Sequence, residues 1–381
     1  MMHKSVEMTV DLRSDTVTQP TPAMRQAMLA APLGDDVFAG DPSINTLQDQ
    51  LAALLGFEAA LFMPTGTQSN LCAIMAHCGR GDEYIVGQEA HCYRWEGGGA
   101  AVLGSVQPQP LNHEPDGTLA LAEIEAAIKP DDAHFARTRL LTLENTLGGK
   151  LLPFDYVQQA TDLASRHGLA RHLDGARLFN AATAQAQRLA AAYTSNWALA
   201  PVDTAQDAMD LDGLTVTAEA ITTQARRIAQ CFDSVSVCFS KGLGAPVGSV
   251  LCGSQAFIAR AHRIRKMAGG GMRQAGVLAA AASYALEHHV ARLADDHALA
   301  RRLATGLSGL PGLVVEPPHS NILFVDLVGE ARARSADLVA FLAARGVLIT
   351  GLYRLRFVTH LDVDAAGIDH AVAMMREFLA G

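Results

Sequence analysis

Lys241 closes the run Val235-Ser236-Val237-Cys238-Phe239-Ser240 and opens the glycine-rich turn Gly242-Leu243-Gly244-Ala245-Pro246. Continuous β-branched and aromatic residues bounded by glycine and proline predict a strand covered on both faces. An ammonium at its end is costly unless paired or used, and desolvation favours the neutral amine that attacks carbonyls. A lysine whose stem packs on the sheet rim while its head reaches water suits the same residues. Three other segments bear on the choice. Ala60-Leu61-Phe62-Met63 runs into Pro64-Thr65-Gly66-Thr67-Gln68-Ser69-Asn70 and then a helical pattern. At the carboxyl edge of a parallel sheet such a turn offers helix N-terminal amides and hydroxyls to a phosphate, with Gly66 permitting close approach and Thr67 adding an amide and a hydroxyl. An ordinary threonine N-cap explains it equally. Leu169-Ala170-Arg171-His172-Leu173-Asp174-Gly175-Ala176-Arg177 is a second apolar run ending in polar residues. Asp174 there needs a cation, either a protonated pyridine nitrogen or simply Arg177. His91, in Gln88-Glu89-Ala90-His91-Cys92-Tyr93-Arg94-Trp95-Glu96, follows the run at Tyr84 to Val86 and either stacks on an aromatic cofactor or is a satisfied core residue.

Each feature alone has a plain structural explanation, but the combination is narrower. A strand-end lysine, a strand-end carboxylate, a phosphate-type turn and a planar stacking group together describe a pyridoxal phosphate site. The lysine bonds the cofactor's carbonyl carbon, the carboxylate keeps the ring nitrogen protonated so that the ring accepts electrons, and the turn anchors the phosphate.

The elements that must hold these residues follow from the apolar pattern. Strand-like runs at Ala59 to Met63, Tyr84 to Val86, Leu140 to Leu143, Leu169 to Leu173 and Val235 to Phe239 alternate with helical spacing over Ser43 to Leu55, Thr67 to Cys78, Leu119 to Ile128 and Asp155 to Arg166. Such alternation predicts crossover connections and a mostly parallel sheet, an α/β domain. Ala275 to Ala304 reads as one long helix or two in succession. Beyond it, short runs at Val314 to Glu316, Ile322 to Val325, Val347 to Ile349 and Leu355 to Val358 alternate with helical patterns at Ser335 to Ala344 and Ala365 to Leu379, predicting a smaller α+β domain. The boundary is expected near residue 290, giving domains 1–290 and 291–381, with an insertion at 187–224 in which Gln187 to Tyr193 is helical.

Composition limits the function classes. The 381 residues carry 30 Lys and Arg against 39 Asp and Glu, a net charge of -9 that argues against a phosphate-backbone binder. No charged-then-apolar leader is present and no apolar run approaches the roughly 18 residues of a membrane helix, so a soluble, cytoplasmic protein is expected. The six cysteines form no CxxC pair or zinc-ribbon spacing, so they are expected to be reduced and packed, with no metal site.

The chain resembles the low-specificity L-threonine aldolases, fold-type-I pyridoxal phosphate enzymes of the β-eliminating lyase group. The likeness rests on Asp11-Leu12-Arg13-Ser14-Asp15-Thr16-Val17-Thr18, Pro64-Thr65-Gly66-Thr67-Gln68, His172-Leu173-Asp174-Gly175-Ala176-Arg177, Ser240-Lys241-Gly242-Leu243-Gly244, Gly269-Gly270-Gly271-Met272-Arg273-Gln274 and Arg356-Phe357-Val358-Thr359-His360. It implies a large domain with a mostly parallel seven-stranded sheet and a small C-terminal domain. It also implies that Lys241 bonds the cofactor, that Asp174 faces the ring nitrogen and that His91 stacks on the ring. Gly66, Thr67 and Ser240 would hold the phosphate, joined by Arg273 of a neighbouring subunit in a homotetramer, a dimer of dimers. Ser14, Arg177 and Arg356 would bind the substrate carboxylate, with Arg177 also beside the cofactor and His134 near the substrate. The implied reaction is retro-aldol cleavage of a β-hydroxy-α-amino acid such as L-threonine, L-allo-threonine or phenylserine to glycine and an aldehyde. His91 leads as the base for the β-hydroxyl proton, then His134, then a water held by Glu96. The alternative on the same cofactor is β-elimination or transamination of a small amino acid. Three departures stand out: Leu147-Gly148 where the family usually has a histidine after Glu144-Asn145-Thr146, Phe38 where a tyrosine is common, and a long span from Asp174 to Lys241.

Overall fold

The computed structural model describes residues 9–195, 211 and 214–381. Its largest sheet has seven strands in the spatial order Ala59–Met63, Ser249–Gly253, Ser234–Cys238, Ala170–Gly175, Arg137–Glu144, Asp82–Gly87 and Gln107–Leu111. Ser249–Gly253 runs antiparallel to both neighbours, and the remaining pairs are parallel. Six strands therefore point one way, and the chain leaves all six at a single edge, after Met63, Gly87, Leu111, Glu144, Gly175 and Cys238. Ligands of open α/β sheets bind along such a carboxyl edge.

The sheet is covered on both faces. Alternate residues of Ala59–Met63 divide between two cores, Phe62 with the helices on one side and Leu61 and Met63 with Cys72, Ala73, Ile258 and Ala261 on the other, as the two-residue strand period requires. Every residue of Ser234–Cys238 is buried. On the Phe62 side, helix Pro42–Leu55 presents Ile44, Leu47, Leu51 and Leu55 at helical spacing, all fully buried. Each such side chain contributes about 1.5–3 kcal/mol relative to exposure.

A second apolar core joins Leu303, Leu323, Val325, Leu338, Leu355 and Phe357. It lies between a three-stranded antiparallel sheet, Leu313–Val315, Ile322–Leu327 and Arg354–Val358, and the helices Leu293–Leu307, Ser335–Ala343 and Ala365–Ala380. Val10 and Leu12 belong to this core, although they are near the start of the numbering. Val10–Asp11 pairs in parallel with Val347–Leu348, so the run expected at Val347 to Ile349 joins a two-stranded sheet of its own.

Ala275 to Ala304 takes one of its two expected forms, two helices in succession, Gly276–His288 and Leu293–Leu307. Other elements differ from expectation. Gln107–Leu111 is an unexpected edge strand, and its two prolines suit an edge because they donate no ladder bond there. The stretch expected to begin an insertion at Gln187 continues a helix from Leu178 to Ser195, which packs against helix Ala218–Ala229. Most of 196–213 lies outside the described residues. All six cysteines are free and five are buried.

Candidate active site

The phosphate-type turn lies at the carboxyl edge. Thr65 caps helix Gly66–His77, its side chain accepting the Gln68 amide, while the amides of Gly66 and Thr67 make no hydrogen bond among the described residues. A Cβ on Gly66 would stand 2.6 Å from Cys238 Sγ, so only glycine lets the turn press this closely against the exit of the Lys241 strand. Ser240 leaves that strand two residues after Cys238. Two free amides on a helix N-terminus, with hydroxyls beside them, suit a dianionic phosphate.

Behind the turn, Asp174 is buried at its strand end. Its Oδ1 accepts the Ala176 amide at 3.0 Å and its Oδ2 accepts Asn70 Nδ2 at 2.7 Å. The same Asn70 nitrogen donates to Glu96 Oε1 at 2.9 Å, and Glu96 Oε1 lies 2.8 Å from His91 Nδ1. His91 is 42% exposed at its side chain and Glu96 only 4%, so the imidazole faces the open side and the carboxylate stands behind it. The Glu96 bond holds the His91 pKa above the ordinary imidazole value against burial, while burial raises that of Glu96. Glu144, opposite Asp174 in the strand register, accepts the His91 backbone amide at 2.7 Å. Burial first, then the charge of Asp174, pushes the Glu144 carboxyl well above its usual range. His91, Glu96 and Asp174 each bring a donor atom within 4.8 Å of the others. A ring whose nitrogen faces Asp174 and whose face lies on His91 fits this donor set.

The lysine arm follows the turn after Cys238. The Gly244 amide closes it on the Lys241 carbonyl at 2.8 Å, with Gly244 left-handed at φ 76°. Lys241 is half-buried, and its charge acts on Asp15. Asp15, fully buried, grips Arg177 with both oxygens, Nε at 2.8 Å and Nη2 at 2.7 Å. Burial opposes the Asp15 charge, but Arg177, Lys241 and Asn321 outweigh it and hold the carboxyl well below its usual range. The bidentate face of Arg177, expected to meet a substrate carboxylate, is thus taken by Asp15, which leaves Nη1 without a partner among the described residues. Arg356 is different: Nη1 donates to the Arg13 carbonyl at 3.0 Å, and Nε and Nη2 are open among the described residues. Burial, then repulsion from Arg177, lowers its pKa to about 10. An anion between these guanidiniums relieves that repulsion. Ser14 stands next to Asp15, its Oγ accepting Thr16 Oγ1 at 2.8 Å.

Two expected residues are not brought to the site. His134 precedes the amino end of Arg137–Glu144, an eight-residue strand whose other end carries Glu144. At ~3.3 Å per residue that places it roughly 25 Å away. Its side chain is 87% exposed and bonds Asp132, so within this chain it is a surface-loop histidine and not a base or substrate ligand. Arg273 is 60% exposed and bonds Asp35 at 3.2 Å, so it does not reach this chain's own turn. Glu96, expected to hold a water, instead has Oε1 engaged by His91 and Asn70. Leu147 is nearly buried, its Cδ2 at 3.4 Å from where a Cβ on Gly117 would stand, and Phe38 is 80% exposed.

Asp15, Asn70, Glu144 and His172 lay inside segments that had drawn notice, without a role. One signal was available for two of them: Asn70 follows Gly66 by one helical turn, and His172 precedes Asp174 by two positions on the same strand face.

The fold and this cluster define a fold-type-I pyridoxal phosphate enzyme. The beta-eliminating lyase family matches residues 11–330. The low specificity L-threonine aldolase of Escherichia coli K12 is 49% identical over 97% of this chain and 99% of its own length. A probable low-specificity L-threonine aldolase of Arabidopsis thaliana is 40% identical over 96% of each. A solved structure of the Leishmania major threonine aldolase superposes with a TM-score of 0.75 over 97% of this chain and 99% of that one at 21% identity, which shows the shared fold. The chain belongs to the beta-eliminating lyase family, in its threonine aldolase group.

Proposed function

We propose that this protein cleaves β-hydroxy-α-amino acids, L-threonine foremost, into glycine and an aldehyde with pyridoxal 5'-phosphate as cofactor. The observation that carries the reading is the near full-length identity to threonine aldolases, joined to one edge of the sheet that holds Lys241, Asp174, His91 and the two arginines. Bound pyridoxal phosphate supplies a sink for the electron pair released at the substrate α-carbon. Lys241 would hold it through a bond to its carbonyl carbon. Asp174 faces the ring nitrogen, and the free amides of Gly66 and Thr67 with the Ser240 hydroxyl take the phosphate.

Arg356, through its open Nε and Nη2, takes the substrate carboxylate, with Arg177 Nη1 and Ser14 Oγ completing the clamp. Fixing the carboxylate fixes which α-carbon bond stands perpendicular to the ring, and that selects the bond that breaks. His91 Nε2 accepts the β-hydroxyl proton, because Nδ1 is committed to Glu96 and the open nitrogen then carries a lone pair.

Larger-scale readings have the following support. The two apolar cores support a division near residue 290, with Val10 and Leu12 joining the smaller part. The exposed Leu29, Leu33 and Phe38 cluster in sequence around Asp35, the partner of Arg273, which supports a homo-oligomeric contact there; a tetramer in which Arg273 serves a neighbouring subunit is what the family resemblance implies. Among the described residues no helix is long and apolar enough to cross a membrane, and a cytoplasmic location accords with the free cysteines.

Product analysis tests the reaction. Threonine should give glycine and acetaldehyde in equal amounts, whereas ammonia and a keto acid without glycine would mean elimination. Lys241→Ala should remove the visible absorption of cofactor-loaded protein and lower kcat by about a thousandfold or more; surviving colour would mean the tether is another residue.

A further inference from the structure

A chain of buried hydrogen bonds runs away from the site. Asn70 Oδ1 lies 3.3 Å from His172 Nε2, His172 Nδ1 lies 2.8 Å from Ser234 Oγ, and Ser234 Oγ lies 2.7 Å from His77 Nε2. Asn70, His172 and Ser234 are at most 2% exposed, and His77 stacks on Phe257 with ring centroids 4.5 Å apart. Asn70 and His77 lie seven residues apart on one face of helix Gly66–His77, and His172 and Ser234 are register partners in the sheet. The fold thus fixes all four positions.

The direction of every bond follows from the carboxylate end. Asp174 and Glu96 both meet the same Asn70 atom. An ionised carboxylate only accepts, so that atom is the amide nitrogen, which has two hydrogens to give. Oδ1 then faces His172 and needs a donor, which puts the His172 hydrogen on Nε2 and leaves Nδ1 to accept from Ser234. The Ser234 oxygen in turn accepts from His77 Nε2. Burial keeps both imidazoles neutral, pulling His172 down to about 3 and His77 to about 4. All hydrogens in the chain point toward the two carboxylates.

We infer that Asn70 is a positioning residue whose amide, held in one orientation by the His172-Ser234-His77 relay, couples the carboxylate facing the cofactor ring nitrogen to the His91–Glu96 pair. The inference rests on the cofactor reading above for its ring nitrogen, and on hydrogen-bond geometry alone for its relay. With Oδ1 on the Ala176 amide and Oδ2 on Asn70, Asp174 is locked in rotation and retains lone pairs for the ring. The same nitrogen fixes Glu96, and through it the His91 ring. One side chain therefore sets the ring-nitrogen partner and the stacking base together, while the carboxylate clamp at Arg356 and Ser14 is independent of it.

The test uses pyridoxal phosphate-loaded protein with Asn70→Leu, His172→Leu and His172→Gln. Asn70→Leu should weaken cofactor affinity about tenfold and lower kcat by about a hundredfold, with KM for threonine moving less than about threefold. His172→Leu should follow it part of the way, and His172→Gln, whose amide can still donate toward Asn70, should recover most of that loss. Equal losses in the two His172 variants, or an Asn70→Leu protein that melts earlier yet keeps cofactor affinity and kcat, would overturn the inference. Wild-type protein that takes up no pyridoxal phosphate would sink the cofactor reading instead. The relay is then decided by ring-nitrogen shifts of labelled histidine: hydrogen on His172 Nε2 upholds it and hydrogen on Nδ1 overturns it.

Discussion

His91 shows how one neighbour decides what a residue can do. Its Nδ1 is engaged by Glu96, its backbone amide by Glu144, and its ring is partly exposed. Because the Glu96 bond raises the imidazole pKa, the base is neutral only above a correspondingly raised pH, and turnover should fall as pH drops through that value. Glu96→Gln removes the negative partner, so the acid limb of the kcat/KM profile should move to lower pH while the rate at the plateau declines. A limb that does not move would mean that another group titrates there. At this scale the sequence was half legible. Lys241, Asp174 and His91 stood out because each sits where an apolar run meets a turn, a place where an unused charge or ring is costly. Asp15, Asn70 and Glu144 did not, because nothing in a single sequence says that one polar residue of a polar stretch turns inward. Arg177 was found for its charge, but its fork is occupied by Asp15, a partner distant in sequence. His134 drew its role from the resemblance alone, and its position at the amino end of a strand keeps it from this chain's own site.

Elements carry this site through one shared edge. The turn at Gly66 and the exit of Ser234–Cys238 approach so closely that a methyl group has no room. Gly66→Ala should therefore push the turn off the strand, weakening cofactor affinity by about ten- to a hundredfold with a smaller loss of cofactor-free stability, about 1–3 kcal/mol. Titration of pyridoxal phosphate against thermal melts of the cofactor-free protein separates the two effects. The elements themselves were legible wherever periodicity was strong. The expected runs at Ala59 to Met63 and Ser43 to Leu55 lie within a residue of the observed strand and helix. Gln107–Leu111 was hidden by its prolines. Ser249–Gly253 was hidden because the glycine-rich turn before it and Gly253 at its end blurred one short apolar run, and its reversed direction has no local sign. Over Ala275 to Ala304 one helix or two were both open, because the break between Gly276–His288 and Leu293–Leu307 carries no proline or glycine to decide it.

At the scale of the molecule, the proposed carboxylate clamp is assembled by the segment from Val10 to Asp15. Leu12 lies fully buried in the smaller core, donating its amide to the Leu348 carbonyl at 2.8 Å and accepting the Val358 amide at 2.9 Å. From that anchor the chain delivers Ser14 and Asp15 to Arg177 in the larger part, while Arg356 reaches back to the Arg13 carbonyl. Leu12→Ala should cost about 2–5 kcal/mol of stability. In protein that remains folded it should raise KM for threonine more than it weakens cofactor binding, since Gly66, Asp174 and Asn70 lie elsewhere. Equal effects on both would mean that the segment supports the whole site and not the clamp.

That same pairing of Val10–Asp11 with Val347–Leu348 also bears on how the molecule comes into being. During synthesis Val10–Asp11 is made more than 300 residues before its partner, after every strand of the seven-stranded sheet has been made in between. Docking it is a contact between residues far apart along the chain, the class of event that is slow and comes late. Arg356, the open half of the clamp, is made later still. A nascent chain can therefore complete the sheet edge that carries Asp174 and Lys241 before Arg356 exists, so the proposed grip on a substrate carboxylate is assembled after the proposed cofactor edge.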